Sequence, residues 1–326
     1  MRIDIVGGGA IGLLFAAKLA LAGQEVTVWT RTEEQARQLR DNGITLEAGE
    51  RRQSAAVRAC CLDTADNAAI GRDDGSVVLL TVKQPDINGR LLDKLAVLTQ
   101  GAGSLVVCMQ NGIGHMERLS EKLPHARLLA GVTTDGARRL SPGTVRHTGA
   151  GELWIGSAGE SAAHPSDGTL AENRQKMFLD KLNSAGFRAA LSKDMDNRVF
   201  QKLLINAVIN PLTAIYDVQN GELPRHPIRL RLMRALCAET SDVLAAAGFK
   251  QENGWEKVLG VCEATSANVS SMLSDVRAGR ETEIAWINGG VVRLAERHGL
   301  RAPLNEAVTG LVLGLAPFSS DERTGL

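Results

Sequence analysis

Aromatic side chains are scarce in this chain: Phe, Trp and Tyr together make up 3% of its 326 residues. Single-stranded nucleic acids are gripped by stacking bases on such rings, so the scarcity argues against that ligand class. Neither sign of charge is in excess. Lys+Arg and Asp+Glu both number 37, the net charge is zero, and no long basic or acidic run occurs. Nucleic-acid binding by bulk electrostatics is therefore not expected. Cysteines are few and scattered: Cys60, Cys61, Cys108, Cys237 and Cys262 are odd in number and lack CxxC spacing. That usage suits a reducing cytoplasm and argues against a zinc site or a disulfide framework, so no metal is expected. Apolar runs stop short of the roughly 18 residues of a membrane span, and Lys18 interrupts the first helical pattern. The first strand begins almost at Met1, which leaves no signal peptide. Neither repeats nor low-complexity tracts are visible. A soluble cytoplasmic protein without nucleic-acid or membrane partners is the expectation.

Against these absences stands an ordinary globular hydrophobic content of 44%, over a length that suggests about two domains. Met1 to Val6 reads as a strand, and Gly7-Gly8-Gly9-Ala10-Ile11-Gly12 follows it directly. A helix rich in Ala and Leu then runs over 13–23, and a second strand over 25–30. This is G-x-G-x-x-G set between strand and helix inside a βαβ unit. Gly7 permits the tight turn, Gly9 lets backbone approach a pyrophosphate, and Gly12 lets helix and strand pack closely, with the helix amino terminus facing the anion. The alternative is a tight turn with no ligand. The second strand ends in Thr30-Arg31-Thr32 without the acidic residue that would hold a ribose 2′-hydroxyl. Arg31 instead offers a cation to a 2′-phosphate, which favours NADP(H) over NAD(H); an Arg simply solvated at a helix start is the other reading.

Buried parallel strands are expected over 77–83, ending at Lys83, and over 104–110, with Asn111-Gly112 at the carboxyl end. Lys83 falls where the adenosine half of a dinucleotide would lie. Asn111 could reach both nicotinamide and substrate, although Asn-Gly is also a plain turn signal. Further strands are expected over 128–134, 151–156 and 187–191. A polar loop is expected at 157–168, and Thr169 with Glu172 suggests a capping box on a helix over 170–185. A boundary near Lys193 divides a Rossmann-type dinucleotide-binding domain (1–193) from an all-helical domain (194–326), with an active site expected in the cleft between them. Helices are expected near 196–216, 227–247, 251–278, 281–299 and 303–315, followed by a loose tail at 321–326.

Within the first of these helices, Lys202, Asn206 and Asn210 are separated by apolar residues and followed by Pro211. Steps of four advance about 400° around a helix, so the three polar groups share an arc of about 80°. Such a buried stripe needs partners or a ligand. A satisfied internal network would meet that need, but three polar groups in strict register, just before a Pro expected to kink or end the helix, suggest a cleft wall. A second cluster comprises Asn268 and Ser271, expected on adjacent turns of one helix face, with Glu283 near the start of the next helix. Glu283 could merely complement a helix dipole. Facing Lys202, it would hold the ammonium charged and oriented, as in acid–base sites.

Taken together, the glycine turn, Lys83, Gln110-Asn111-Gly112, the Lys202/Asn206/Asn210-Pro211 stripe, Asn220-Gly221, Ser270-Ser271-Met272-Leu273 and Thr282-Glu283-Ile284 resemble the ketopantoate reductase family over nearly the whole chain. The resemblance implies NADPH-dependent reduction of 2-dehydropantoate to (R)-pantoate, on the way to pantothenate and coenzyme A. It implies Lys202 as proton donor with Glu283 beside it. Substrate contacts would come from Asn111, Lys202, Asn206, Asn210, Asn220 and Ser271, with Asn268 close by. Cofactor contacts would come from Gly7 to Gly12, Arg31, Lys83, Asn111, Ala137 and Glu283. The ligands implied are NADPH/NADP+ and a small 2-keto acid, with homodimerisation left open. A related β-hydroxyacid dehydrogenase, a reductase of another 2-keto acid and an NADP(H) sensor without turnover are the competing readings.

Overall fold

The computed structural model describes residues 1–65, 76–159 and 168–315. The chain divides into two compact units, one comprising Met1–Gln110 with His115–Met195, the other Asn111–Gly114 with Asp196 onward. The division falls two residues after the boundary expected at Lys193. The four residues 111–114, expected with the first domain, group with the second.

The first unit is built on a twisted sheet. Strands β1 (Arg2–Val6), β2 (Val26–Thr30), β5 (Arg58–Cys61), β6 (Ser76–Leu80), β7 (Leu105–Cys108), β8 (Arg127–Thr133), β11 (Leu153–Gly156) and β12 (Ala189–Leu191) lie in the order β12-β11-β8-β7-β6-β1-β2-β5. Every neighbouring pair is parallel except β11 against β8. The central strands are buried along their whole length, as strands covered on both faces must be. One face carries a core including Leu13, Leu14 and Phe15 of α1 (Ala10–Leu21), and Phe178 and Leu182 of α5 (Gly168–Ser184). The other packs Leu91, Leu95 and Leu98 of α3 (Gly89–Leu98) and Leu119 of α4 (His115–Lys122). Helix α2 (Glu33–Asn42) follows β2, capped by Thr32, whose side chain accepts from Gln35 N.

A second sheet was not expected. Strands β3 (Ile44–Ala48), β4 (Arg51–Ala55), β9 (Gly136–Ser141) and β10 (Thr144–Gly149) pair in the order β4-β3-β10-β9, with Thr144 opposite Thr45 across about a hundred residues of sequence. Its inner residues Leu46 and Val145 join the core of α1. Thr169 lies inside α5, which already runs from Gly168, so the expected capping box is not the start of this helix. Most of the loop expected at 157–168 and the tail at 321–326 lie outside the described residues. β6 ends at Leu80, so Lys83 sits beyond the strand and precedes a 3₁₀ turn at Gln84–Asp86.

The second unit is helical: α6 (Met195–Tyr216), α7 (Pro227–Ala246), α8 (Gly254–Ala264), α9 (Ser271–Arg277), α10 (Asn288–Arg297) and α11 (Pro303–Leu313). They enclose one apolar cluster that includes Leu203, Leu204, Val208, Leu212, Leu236 and Val291. Helix α6 runs through Pro211 to Tyr216, matching the segment expected over 196–216, so the Pro does not end it. Three other sequence expectations are corrected here. The single helix expected over 251–278 is two, because Ser270 caps a new start, its Oγ accepting from Leu273 N at 3.1 Å. Asn268 therefore lies in the connecting loop, not on a helix face with Ser271. Glu283 stands at a bend five residues before α10 rather than at its start. By length and composition α6 is apolar enough to cross a membrane, and 56% of its apolar window is buried inside the protein.

Candidate active site

In the first unit the glycine turn is shaped by close packing. Gly7 adopts φ +119°, and a Cβ there would meet Thr81 Oγ1 at 2.8 Å and Val82 N at 2.9 Å. A Cβ on Gly12 would lie 2.0 Å from the Gly7 carbonyl oxygen. Thr81 finishes the turn by donating to Val6 O at 3.1 Å or Gly7 O at 3.0 Å. Gly9 differs: a Cβ there meets nothing within 4 Å. It is also the extended N-cap of α1, without a side-chain cap, and the first turn carries no acidic residue. The first N–H groups of α1 thus open onto free space at the positive end of a helix, which fits a dinucleotide pyrophosphate.

Two side chains not singled out from the sequence secure this turn. Gln35 Nε2 donates to Gly8 O at 2.9 Å and to Pro142 O at 2.9 Å, and Arg139 Nη1 donates to Gly8 O at 3.1 Å. Because the carbonyl of Gly8 and the N–H of Gly9 are trans across one peptide plane, pinning the oxygen fixes the direction of the N–H. The same strand, β9, carries Ala137, half-buried and opposite His147. Arg31 extends into solvent with 82% of its side chain exposed, 3.6 Å from Asp86, so its guanidinium is accessible to a phosphate. Lys83 is half-buried just before the 3₁₀ turn that ends at Asp86.

In the second unit the polar stripe of α6 lies in register. Lys202 and Asn206 are half-buried and Asn210 is buried, while Leu203, Leu204, Ala207 and Val208 fill the core behind them. Burial pulls the Lys202 ammonium below the usual lysine pKa, and the Glu283 carboxylate acts in the opposite direction. Glu283 is itself buried and accepts from Asn111 Nδ2 at 2.9 Å; Asn111 Oδ1 in turn accepts from Asn206 Nδ2 at 3.4 Å. Asn111 reaches this position because Gly112, at φ +78°, lets two backbones touch: a Cβ there would meet Trp286 O at 2.3 Å. Ile113 N donates to that same oxygen at 3.2 Å. Four of the sequence-chosen residues, Asn111, Lys202, Asn206 and Glu283, therefore form one electrostatic group within a single unit.

The remaining candidates of this unit fall into two separate sets of contacts. Thr213, one turn beyond Asn210, meets Ser270 Oγ at 2.7 Å and so ties α6 to the start of α9, whose first residue is the exposed Ser271. Asn220 is buried; its N donates to Asn268 O at 3.0 Å and its Nδ2 to Thr265 Oγ1 at 2.9 Å. Its Oδ1 is buried and lacks a hydrogen-bond partner among the described residues. Asn268 is exposed and joins this group through its main chain. Thr213 could have been found by extending the stripe one helical turn. Thr265, Gln35 and Arg139 left no signal, because their partners lie far away in sequence. Among the described residues no group of three or more His, Cys, Asp or Glu is placed to hold a metal ion.

Comparison with known proteins returns one consistent family. Residues 3–160 match the model of "Ketopantoate reductase PanE/ApbA", and residues 194–316 that of "Ketopantoate reductase PanE/ApbA C terminal". The chain is 33% identical over 318 residues to the 2-dehydropantoate 2-reductase of Archaeoglobus fulgidus, covering 96% of this chain and 97% of that one. It is 34% identical over 316 residues to the enzyme of the same name from Bacillus subtilis, covering 97% of each. Among solved structures, the probable 2-dehydropantoate 2-reductase of Bacillus subtilis superposes with a TM-score of 0.74 at 32% identity, covering 97% of this chain and 100% of that one. A D-mandelate dehydrogenase in ternary complex with NADH and anilino(oxo)acetate shares the fold at TM-score 0.84 and 24% identity, over 97% of this chain and 98% of that one. A parallel-sheet unit with a capless glycine turn, a helical unit carrying a half-buried lysine, and two family models spanning most of the chain agree: the protein is an oxidoreductase of the ketopantoate reductase family.

Proposed function

We propose that this protein is an NADPH-dependent 2-dehydropantoate 2-reductase, forming (R)-pantoate on the route to pantothenate and coenzyme A, with Lys202 as proton donor. The observation that carries the reading is the environment of Lys202: an amine whose pKa burial lowers and the Glu283 carboxylate raises, on a helix otherwise given to the core. Bound NADPH supplies a hydride to the C2 carbonyl carbon. As negative charge develops on the carbonyl oxygen, the Lys202 ammonium stabilises it and transfers a proton to it, and is then reprotonated from solvent. Glu283 favours the charged amine and, through Asn111, orients Asn206. Asn206, Asn210, Asn220, Asn268 and Ser271 suit a ligand with a carboxylate and hydroxyls, because they hydrogen-bond both without adding charge.

In this reading most of the cofactor-binding residues belong to the first unit, and the substrate-binding residues, together with Asn111 and Glu283, belong to the second. Gly7 to Gly12 hold the pyrophosphate, Arg31 engages the 2′-phosphate, and Lys83, Asn111, Ala137 and Glu283 complete the cofactor contacts. All five cysteines are free thiols, and the enzyme works in the cytoplasm. The test is to follow oxidation of NADPH by its ultraviolet absorbance with a panel of 2-keto acids and β-keto acids. Turnover greatest with 2-dehydropantoate supports the reading, preference for another acid replaces the substrate, and no turnover with any acid leaves an NADP(H) sensor. A Lys202→Ala variant should bind NADPH normally and lose turnover by at least about a hundredfold; a near wild-type rate would remove the acid from Lys202.

A further inference from the structure

Pro211 has no N–H to donate, so the carbonyl of Ala207, four residues earlier and one past Asn206, loses its partner inside α6. That carbonyl is not left empty. Asn288 Nδ2 donates to Ala207 O at 2.8 Å, and Asn288 is 0% exposed. A carbonyl oxygen can only accept, which fixes the amide nitrogen of Asn288 toward it. The second hydrogen of this nitrogen goes to Asn305 Oδ1 at 2.9 Å, and Asn305, also 0% exposed, donates from Nδ2 to Glu239 Oε1 at 2.9 Å. Glu239 further accepts from the N–H groups of Leu304 and Asn305 at the start of α11, at 3.0 and 2.8 Å. A buried polar relay thus runs from α6 through α10 and α11 to α7.

Its position relates it to the site. Asn288 is the first residue of α10, and the turn before it is closed by Ile287 N and Trp286 N donating to Glu283 O, both at 3.0 Å. The Asn288–Ala207 bond therefore fastens the segment that carries Glu283 to the helix that carries Lys202 and Asn206. We propose that Asn288 is a positioning residue, occupying the hydrogen-bond vacancy made by Pro211 and thereby setting the register between Glu283 and the Lys202/Asn206 face. This rests on Lys202 being the acid of the proposed reduction.

The proline makes the proposal testable by compensation. Asn288→Leu removes the donor at similar volume, whereas Pro211→Ala restores the N–H that α6 would use for Ala207 O. Four proteins are compared: wild type, N288L, P211A and the double variant. N288L should lower kcat for the 2-keto acid about tenfold, leave NADPH affinity unchanged, shift the alkaline limb of the pH–rate profile and lower the urea midpoint. In the double variant most of the kcat loss and the midpoint loss should return. A general packing defect at Asn288 would not be rescued by an N–H supplied from position 211. Unchanged kcat and pH profile in N288L, or a double variant no better than N288L, overturns the proposal. If wild type turns over no 2-keto acid, the proposed function fails on its own, and the urea midpoints still read whether Asn288 and Pro211 are coupled.

Discussion

Lys202 sits between opposing forces, and burial outweighs the opposing pull of Glu283. Burial favours the neutral amine, while the carboxylate favours the ammonium that the proposed reduction would use as its acid. As pH rises through the Lys202 pKa the acid is lost, so the rate of reduction should fall on the alkaline side, at a pH below the usual lysine value. Glu283→Gln keeps an acceptor for Asn111 and removes the charge that raises the pKa. Its alkaline limb should move to lower pH, with a smaller change in rate on the acid side of the limb. A pH profile of kcat checks this, and an unmoved limb would mean that Glu283 does not act on the titrating group. The spacing of Lys202, Asn206 and Asn210 already placed these groups on one face. It gave no sign of Asn111 as the bridge to Glu283, because that contact spans 172 residues and needs the backbone of Gly112 against Trp286.

Elements show the same division between local pattern and distant contact. The strand–glycine turn–helix unit is specified within a short stretch, and its glycines differ in a way that substitution can read. Gly12→Ala drives a Cβ into the Gly7 carbonyl, and should destabilise the protein by about 3 kcal/mol and abolish NADPH binding. Gly9→Ala meets open space at φ −80°, so stability should change by no more than about 1 kcal/mol. NADPH affinity should nevertheless fall by at least about tenfold, because the methyl enters the space proposed for the pyrophosphate. Thermal unfolding and fluorescence titration of the two variants separate these effects; equal affinity for NADPH in Gly9→Ala and wild type would place the cofactor elsewhere. The helices of the second unit were also readable from breaks at Pro and Gly, except where a buried partner overrode a local signal. Pro211 interrupts the hydrogen-bond ladder of α6 without ending the helix, and Asn288 takes up the carbonyl of Ala207. The cap at Ser270 divides what periodicity joins.

Across the whole molecule, separate cores stand behind the glycine turn and the polar helix, and binding adds to the stability of whatever it holds. NADPH at a hundred times its dissociation constant should raise the free energy of unfolding by about 2.7 kcal/mol, measured by urea denaturation followed at the fluorescence of the tryptophans. NADH at the same concentration should stabilise less, and Arg31→Ala should reduce that difference; equal stabilisation by both would remove Arg31 from 2′-phosphate recognition. At this scale the sequence was least informative about the second sheet. Its strands, such as Arg51–Ala55 with four exposed residues in five, have little apolar alternation to mark them. They exist because residues about a hundred positions apart pair and cover α1.

The sequence by itself determined what is written in short periods: the glycine turn between strand and helix, the apolar parallel strands, the succession of helices after residue 194, and three polar groups on one face of α6. Such features depend on neighbours within a few turns or one hairpin, so local spacing carries them. Tertiary structure alone decided which distant groups meet. It brought Asn111 to Glu283, Arg139 to the glycine turn, and Asn288 to the carbonyl that Pro211 had left without a partner. Each is a hydrogen bond between groups far apart in the chain, and its strength depends on burial that exists once the core has closed around it.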